Sequence, residues 1–454
     1  MSVECNNVVL AKVQKNRVIL VGKRKTRPYG EDNPCPKRGH PRAVSERDGL
    51  QRNSEAAMPY LTDSPKMGPS HQKRGPLSPR LGRPRCGVAG TFPTAVHNRI
   101  DELRPGVGGW GAITLRVELG LDLSLQGQRL PSVRSINRYL KDKKRVRPYR
   151  QPRPMPDTQL VIGQHPHDVW QMDAEGNKQA AGIGTVCVVN VKDTFSKTYV
   201  QSYPLELASA HSHPKTADYQ RVLRLAWMEF GMNNCLQLDH ESVFYDNTHA
   251  SPFPTPFCLW SIALGNQIIY TPGGKPYKQG AAERSHQTMD RQVCQNKSYP
   301  GHAALFAACQ SRRKRLNLHI PCRTLKGQAP LEAHPAAKHS GKYYSPLTEE
   351  QLFDVEKIYA YLAQCKPWYR TVTDNRTVAL GSQQYFLKDS KPGTELAIRF
   401  DLAAKQLVFC DQNQGMVAQL LPKGLGYKDL AGDIDGFISW VDALDCIEHA
   451  RPDP

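Results

Sequence analysis

The chain has 454 residues, 39% of them hydrophobic, and a formal net charge of +19, which allows about two to four domains with at least one ordinary core. No run of eighteen apolar residues occurs, and the opening MSVECNNVVLAKVQKNR has no signal-peptide core. A membrane span and secretion are therefore not expected, and the chain reads as cytoplasmic. Twelve cysteines stand singly with no Cys-x-x-Cys, which argues against a zinc ribbon or disulfide framework.

The charge is unevenly spread. Residues 1–160 hold 31 Lys and Arg against 13 Asp and Glu, whereas the remainder holds 30 against 29. A basic segment ahead of a neutral body is the footprint of a part that binds polyanions, DNA or RNA first among them. Residues 1–90 mix Arg, Lys, Pro, Gly and Ser without periodicity and are expected to be disordered, because they bury too little apolar surface to offset ordering entropy. An upstream extension of the reading frame, with Met58 or Met67 as the working start, is the alternative for this stretch.

Over residues 91–150 the pattern turns helical. Val96, Ile100 and Leu103 mark one helix, and Trp110, Ile113, Leu115, Val117 and Leu119 a second. Ser132 is the expected N-cap of a third, whose buried face is Val133, Ile136, Tyr139 and Leu140. Arg134 and Arg138 share its other side, and Lys141, Lys143, Lys144, Arg145 and Arg147 trail behind it. This is how a helix-turn-helix DNA-binding module reads, with the trailing cations on phosphates; an ordinary small bundle with a solvated basic end is the alternative. A Pro-rich linker, 151–163, follows.

Residues 164–345 read as a mixed α/β core. Strands are expected at 168–173, 183–191 and 197–203, a helix at 216–230, a strand at 235–238, a helix at 255–264, a strand at 268–270, and then a loop of Pro, Gly and Lys leading into another helix. Asp173 lies on the first strand, Asp239 at the end of the fourth, and Glu283 on the helix after the fifth. If the first and fourth strands are neighbours, the two Asp side chains meet and the Glu helix can lie across them. Three crowded carboxylates raise one another's pKa unless a cation intervenes, and hard oxygen ligands suit Mg²⁺ or Mn²⁺. Two such ions support in-line phosphoryl displacement.

These residues resemble the integrase catalytic core of DDE transposases and retroviral integrases. The matching stretches are Trp170-Gln171-Met172-Asp173, Leu236-Gln237-Leu238-Asp239 and Pro276-Tyr277-Lys278-Gln279-Gly280-Ala281-Ala282-Glu283-Arg284, with Leu325-Lys326-Gly327-Gln328-Ala329-Pro330 resembling the tail of bacterial insertion-sequence transposases. The resemblance implies an RNase H-like fold in which Asp173, Asp239 and Glu283 bind two divalent metals. It also implies 3′-end cleavage and strand transfer of a mobile element into target DNA, as a homo-multimer near the bacterial nucleoid; an accessory ATPase partner is left open. Two other readings remain: a catalytically silent DNA-binding descendant, and an RNase H-like nuclease without strand transfer. His240-Glu241 stand where the family has Asn-Gly, and residues 247–256 look like an insertion.

Lys275, Lys278, Arg284 and Arg291 are expected DNA contacts beside the active helix, the two arginines on one helical face seven residues apart. Asp168, Glu175, Asp193 and Asp246 are expected at solvent-facing or turn positions, and His286 packed with Met289 and Val293. The run at 312–317 is expected to be another basic patch. Residues 346–372 read as a connector, 373–425 as a small β-barrel similar to that of Mu-type transposases, and 426–454 as an acidic tail, flexible or used for interaction.

Overall fold

A computed structural model describes residues 92–148, 162–209, 211–271, 280–295 and 297–449. The basic segment 1–90, linker residues 151–161, and Lys275 and Lys278 lie outside those residues.

Three helices come first: α1 (Thr94–Leu103), α2 (Ala112–Leu121) and α3 (Val133–Asp142). The Ser135 amide donates to the Ser132 hydroxyl at 3.2 Å, satisfying one of the free N–H groups at the start of α3. Val96, Ile100, Leu115, Leu119, Ile136 and Leu140 close a small core between the helices. Around it Tyr139 donates to Asp101 at 2.9 Å, and Arg104 donates to the carbonyls of Trp110 and Arg145, both at 2.6 Å. Arg145 is paired with Asp101 inside this unit. Arg134, Arg138, Lys141, Lys143, Lys144 and Arg147 are exposed.

A five-stranded mixed sheet forms the centre, with strands β1 (Val169–Ala180), β2 (Gly184–Asp193), β3 (Tyr199–Glu206), β4 (Cys235–Leu238) and β5 (Gln267–Tyr270) in the order β3-β2-β1-β4-β5. The first three pair antiparallel, and β1, β4 and β5 run parallel. Alternation along β1 sends Trp170 and Met172 to one face, where they join Trp227 of α4 (Thr216–Phe230) and Trp260 of α5 (Pro256–Ala263). On the other face Met289, Leu305 and Cys309, from α6 (Gly280–Met289) and α7 (His302–Leu318), pack against Val186. The result is a sheet between two helical layers.

Charged residues fasten the rest of the chain to this core. Glu118 of α2 is buried and accepts from Arg312 and Arg315 of α7. Arg312 also lies over the Trp110 ring at 4.4 Å. Arg313, 1% exposed, pairs with Glu229 and donates to the Val200 carbonyl at 3.0 Å. Within the stretch read as a basic patch, Arg312 and Arg313 are thus internal, meeting acids and carbonyls brought from other elements, while Lys314 and Arg315 are exposed. Glu349, fully buried in α8 (Glu349–Leu352), accepts two bonds of 2.7 Å from Arg224 of α4, one of 3.0 Å from Trp260, and one from Tyr344.

Downstream, α9 (Val355–Gln364) leads into β6 (Trp368–Thr371), a strand within the stretch read as a connector. Strands β7 (Thr377–Leu380) and β8 (Gln383–Phe386) form a hairpin, while β9 (Glu395–Asp401), β10 (Gln406–Cys410) and β11 (Met416–Leu420) join β6 in a four-stranded sheet of order β11-β10-β9-β6. The strands make two sheets around shared apolar residues, among them Val378, Tyr385, Ile398 and Phe409, rather than one closed ladder. The stretch 247–256, which looked like an insertion, has a packing role: Tyr369 and Arg370 donate to Ser251, Trp368 donates to the Pro252 carbonyl at 3.1 Å, and Phe253 meets the Trp368 ring at 5.0 Å. The acidic C-terminal stretch is also built in, where described. It forms α10 (Tyr427–Leu430) and α11 (Ile434–His449), with Leu430, Phe437 and Val441 buried and the Ala431 carbonyl accepting from Arg224 at 2.7 Å. Asp429, Asp433, Asp435 and Asp442 are exposed, while Phe437, Trp440 and Val441 are apolar residues spaced three and four apart.

Candidate active site

The parallel pairing of β1 and β4 matches Val169 with Cys235 and Gln171 with Gln237. Two residues further along both strands stand Asp173 and Asp239. The same row continues across the sheet, since Asp173 is opposite Asn190 on β2 and Asn190 is opposite Ser202 on β3. Asp173 has the opposite alternation to Trp170 and Met172, so it faces the α6 layer.

Asp239 follows directly on β4, and its Oδ1 accepts from the Glu241 amide at 2.9 Å. Burial, with the Asp173 charge adding to it, pushes the Asp239 carboxyl above its ordinary value. Glu241 is raised in the same way, by burial and then by the charges of Asp239 and Asp173, against the hydrogen bond donated by Tyr219. The Cys187 thiol, whose sulfur donates to the Glu175 carbonyl at 2.9 Å, is pushed up to about 12 by burial, with Glu241, Glu175 and Asp173 contributing. Two aspartates and a glutamate thus share one poorly solvated, negatively charged corner.

Glu283 sits in the first turn of α6 and is exposed. Among the described residues no three His, Cys, Asp or Glu side chains are gathered into a ready metal-binding group. Arg284 is exposed and Arg291 half-buried. The α-helix gives way to a π turn at Asp290–Cys294, so the seven-residue spacing of the two arginines does not carry the shared face that an uninterrupted α-helix gives.

The remaining acids have structural partners. Asp168 accepts from the amides of Gln164 (2.9 Å) and His165 (2.8 Å). Asp193, expected toward solvent or in a turn, is 0% exposed and accepts from the amides of His167 and Phe195. Asp246 faces Arg370 at 3.5 Å and holds the turn through Thr248. Glu175 pairs with Lys178, which also reaches Asp290 of the π turn.

His286 differs from its expected apolar setting. It is buried, with Nε2 at 3.2 Å from Asp173 Oδ2 and Nδ1 at 2.7 Å from Asn190 Nδ2. Sequence reading placed His286 with Met289 and Val293 and passed over Asn190 and Ser202. Their partners lie 96 and 113 residues from His286, beyond any local pattern. Glu241 did carry a signal, since it stands in a position where the resembled family has glycine.

No family model matches the chain. Among solved structures, it is similar to a chain of the cryo-EM intasome of simian T-cell lymphotropic virus in complex with PP2A regulatory subunit B56 gamma, with 14% identity, 69% of this chain and 99% of that chain covered, and a TM-score of 0.30. It is also similar to the HTLV-2 integrase catalytic core domain in complex with magnesium in its dimeric form, with 13% identity, 38% and 98% covered, and a TM-score of 0.28. Scores at this level carry no argument about fold or activity.

Proposed function

We propose that the chain is a DNA polynucleotidyl transferase, a transposase or integrase that cleaves the 3′ ends of a mobile element and joins them to target DNA. The observation that supports this best is the placement of Asp173 and Asp239 two residues beyond the paired Gln171 and Gln237 of adjacent parallel strands, with burial and then the Asp173 charge raising the Asp239 pKa. Paired carboxylates in a poorly solvated site are costly without a cation. Their oxygen donors fit Mg²⁺ or Mn²⁺, which take one or two protein carboxylates and complete their shell with water and substrate phosphate. In this reading Asp173 and Asp239 hold the metal and Glu283 joins from α6. Two bound ions would supply activation of the attacking oxygen and stabilisation of the leaving one.

The chain's own residues provide the rest. Asp173 is presented by β1 and Asp239 by the residue directly after β4, and the pairing of Gln171 with Gln237 brings the two chain directions together just before them. Arg134, Arg138, Lys141, Lys143, Lys144 and Arg147, all exposed, are suited to DNA phosphates and groove edges. Lys275, Lys278, Arg284 and Arg291 are proposed to grip the DNA end near the carboxylates. Joining two element ends calls for a multimer. A silent DNA-binding descendant and a nuclease without strand transfer are the competing readings.

The test is a Mg²⁺-dependent strand-transfer assay on duplexes carrying the terminal repeats that flank the gene, with wild type and Asp239→Ala. Joined products from wild type only are expected. End binding without cleavage by wild type would favour the silent descendant, cleavage without joining the nuclease, and full transfer by the variant would sink the residue assignment.

A further inference from the structure

We propose that His286 is a positioning residue for Asp173, acting through a hydrogen-bond chain that crosses three strands. This role rests on the reading of Asp173 as a metal-binding carboxylate. A carboxylate has no proton to give, so the bond of 3.2 Å between His286 Nε2 and Asp173 Oδ2 requires the proton on Nε2. In the neutral ring Nδ1 is then an acceptor, and it faces the Asn190 amide nitrogen at 2.7 Å. That orientation turns Asn190 Oδ1 to Ser202, whose hydroxyl donates to it at 2.6 Å. The direction is therefore the same at every link, from Ser202 on β3, through Asn190 on β2 and His286 on α6, to Asp173 on β1.

Two features separate this chain from incidental packing. Ser202, Asn190 and Asp173 are direct cross-strand partners in one row of the sheet, so backbone pairing fixes their spacing. Ser202, Asn190 and His286 are 0%, 1% and 6% exposed, and buried polar groups left without partners are costly. Glu175 Oε2 is the other acid facing the ring, 3.9 Å from Nδ1, and Asn190 stands closer. The chain has two consequences. It holds one oxygen of Asp173, which fixes the carboxylate's rotamer, and it pins α6 to β1 at the residue one helical turn after Glu283. Outer partners of this kind orient metal ligands and tune affinity.

The test combines Mn²⁺ titration calorimetry with ¹⁵N NMR of histidine-labelled protein, the His286 signals being assigned by their loss in His286→Gln. Expected are a proton on Nε2 of His286 with Nδ1 accepting, and Mn²⁺ binding weakened about tenfold to a hundredfold in His286→Ala and in Asn190→Leu. His286→Gln, which keeps a donor within reach of Asp173, is expected to bind better than His286→Ala. A proton on Nδ1, or unchanged Mn²⁺ affinity in both His286→Ala and Asn190→Leu, would overturn the role of His286. Absence of Mn²⁺ binding by wild type with the Nε2–H tautomer present would overturn the metal reading of Asp173, and the positioning role with it, while leaving the hydrogen-bond chain as fold architecture.

Discussion

Replacing Glu349 by Leu should be among the most damaging single changes outside the candidate site. The carboxylate is fully buried and accepts from both arms of Arg224, from Trp260 and from Tyr344. Removing one partner of a buried ion pair costs about 3–5 kcal/mol, because the remaining charge is left uncompensated. Two further donors lose their acceptor at roughly 1–3 kcal/mol each, whereas Arg224 keeps the Ala431 carbonyl, so about 5 kcal/mol is a fair total. Against a typical net stability of about 5–15 kcal/mol, that is a third or more of the whole. Urea denaturation followed by tryptophan fluorescence reads it directly, since the Trp227 and Trp260 rings lie 5.2 Å apart and Trp260 touches the lost group. The double variant Arg224→Met/Glu349→Leu should regain at least about half of the loss, because apolar replacement of a buried pair is often neutral. A single variant costing under about 1 kcal/mol, or a double variant as unstable as the single, would refute this account.

Asp239 and Glu241 have folded-state values raised above their ordinary 3.8 and 4.5. Their contribution to stability is thus complete below those values and is lost as pH rises through the raised ones. Metal-free Asp239→Asn should therefore melt at a higher temperature than wild type at pH 7, with the difference vanishing near pH 3; an equal or lower Tm at pH 7 speaks against the shared negative corner. Glu118→Gln should speed amide exchange across α1, α2 and α3 more than in the central sheet, because it loosens the Arg312 and Arg315 contacts; uniform exchange would contradict that docking. Gly231→Ala should cost at least about 1 kcal/mol in urea denaturation, since φ is +72° and a Cβ there would meet Ser340 Oγ at 2.4 Å and the Lys342 carbonyl at 2.7 Å. No loss of stability would mean that this crossing can relax.

What the sequence made legible follows from how far each signal reaches. Helix α4 and strand β4 are visible because their apolar spacing is local, and the bounds expected for both, 216–230 and 235–238, match the structure. The meeting of Asp173 and Asp239 was made conditional on β1 and β4 being neighbours, and that adjacency is observed. Where a residue's meaning depends on a distant partner, local pattern misleads. Arg312 and Arg313 look like a solvated run until Glu118 and Glu229 are in place. His286 sits at an apolar helical spacing, yet its ring bonds to two other elements. In the C-terminal stretch the acids suggested a flexible or interaction segment, while Phe437 and Val441, spaced four apart, are buried.

The Glu118 contact also bears on how the chain emerges from the ribosome. Arg312, its buried partner, lies 194 residues later, and at about 5–20 residues per second it is synthesised roughly 10–40 s after Glu118. The three helices already have their own apolar core by then, so they have time to fold with Glu118 still hydrated. Burial of the acid must await α7, so docking of the N-terminal helices is expected to follow synthesis of all five central strands.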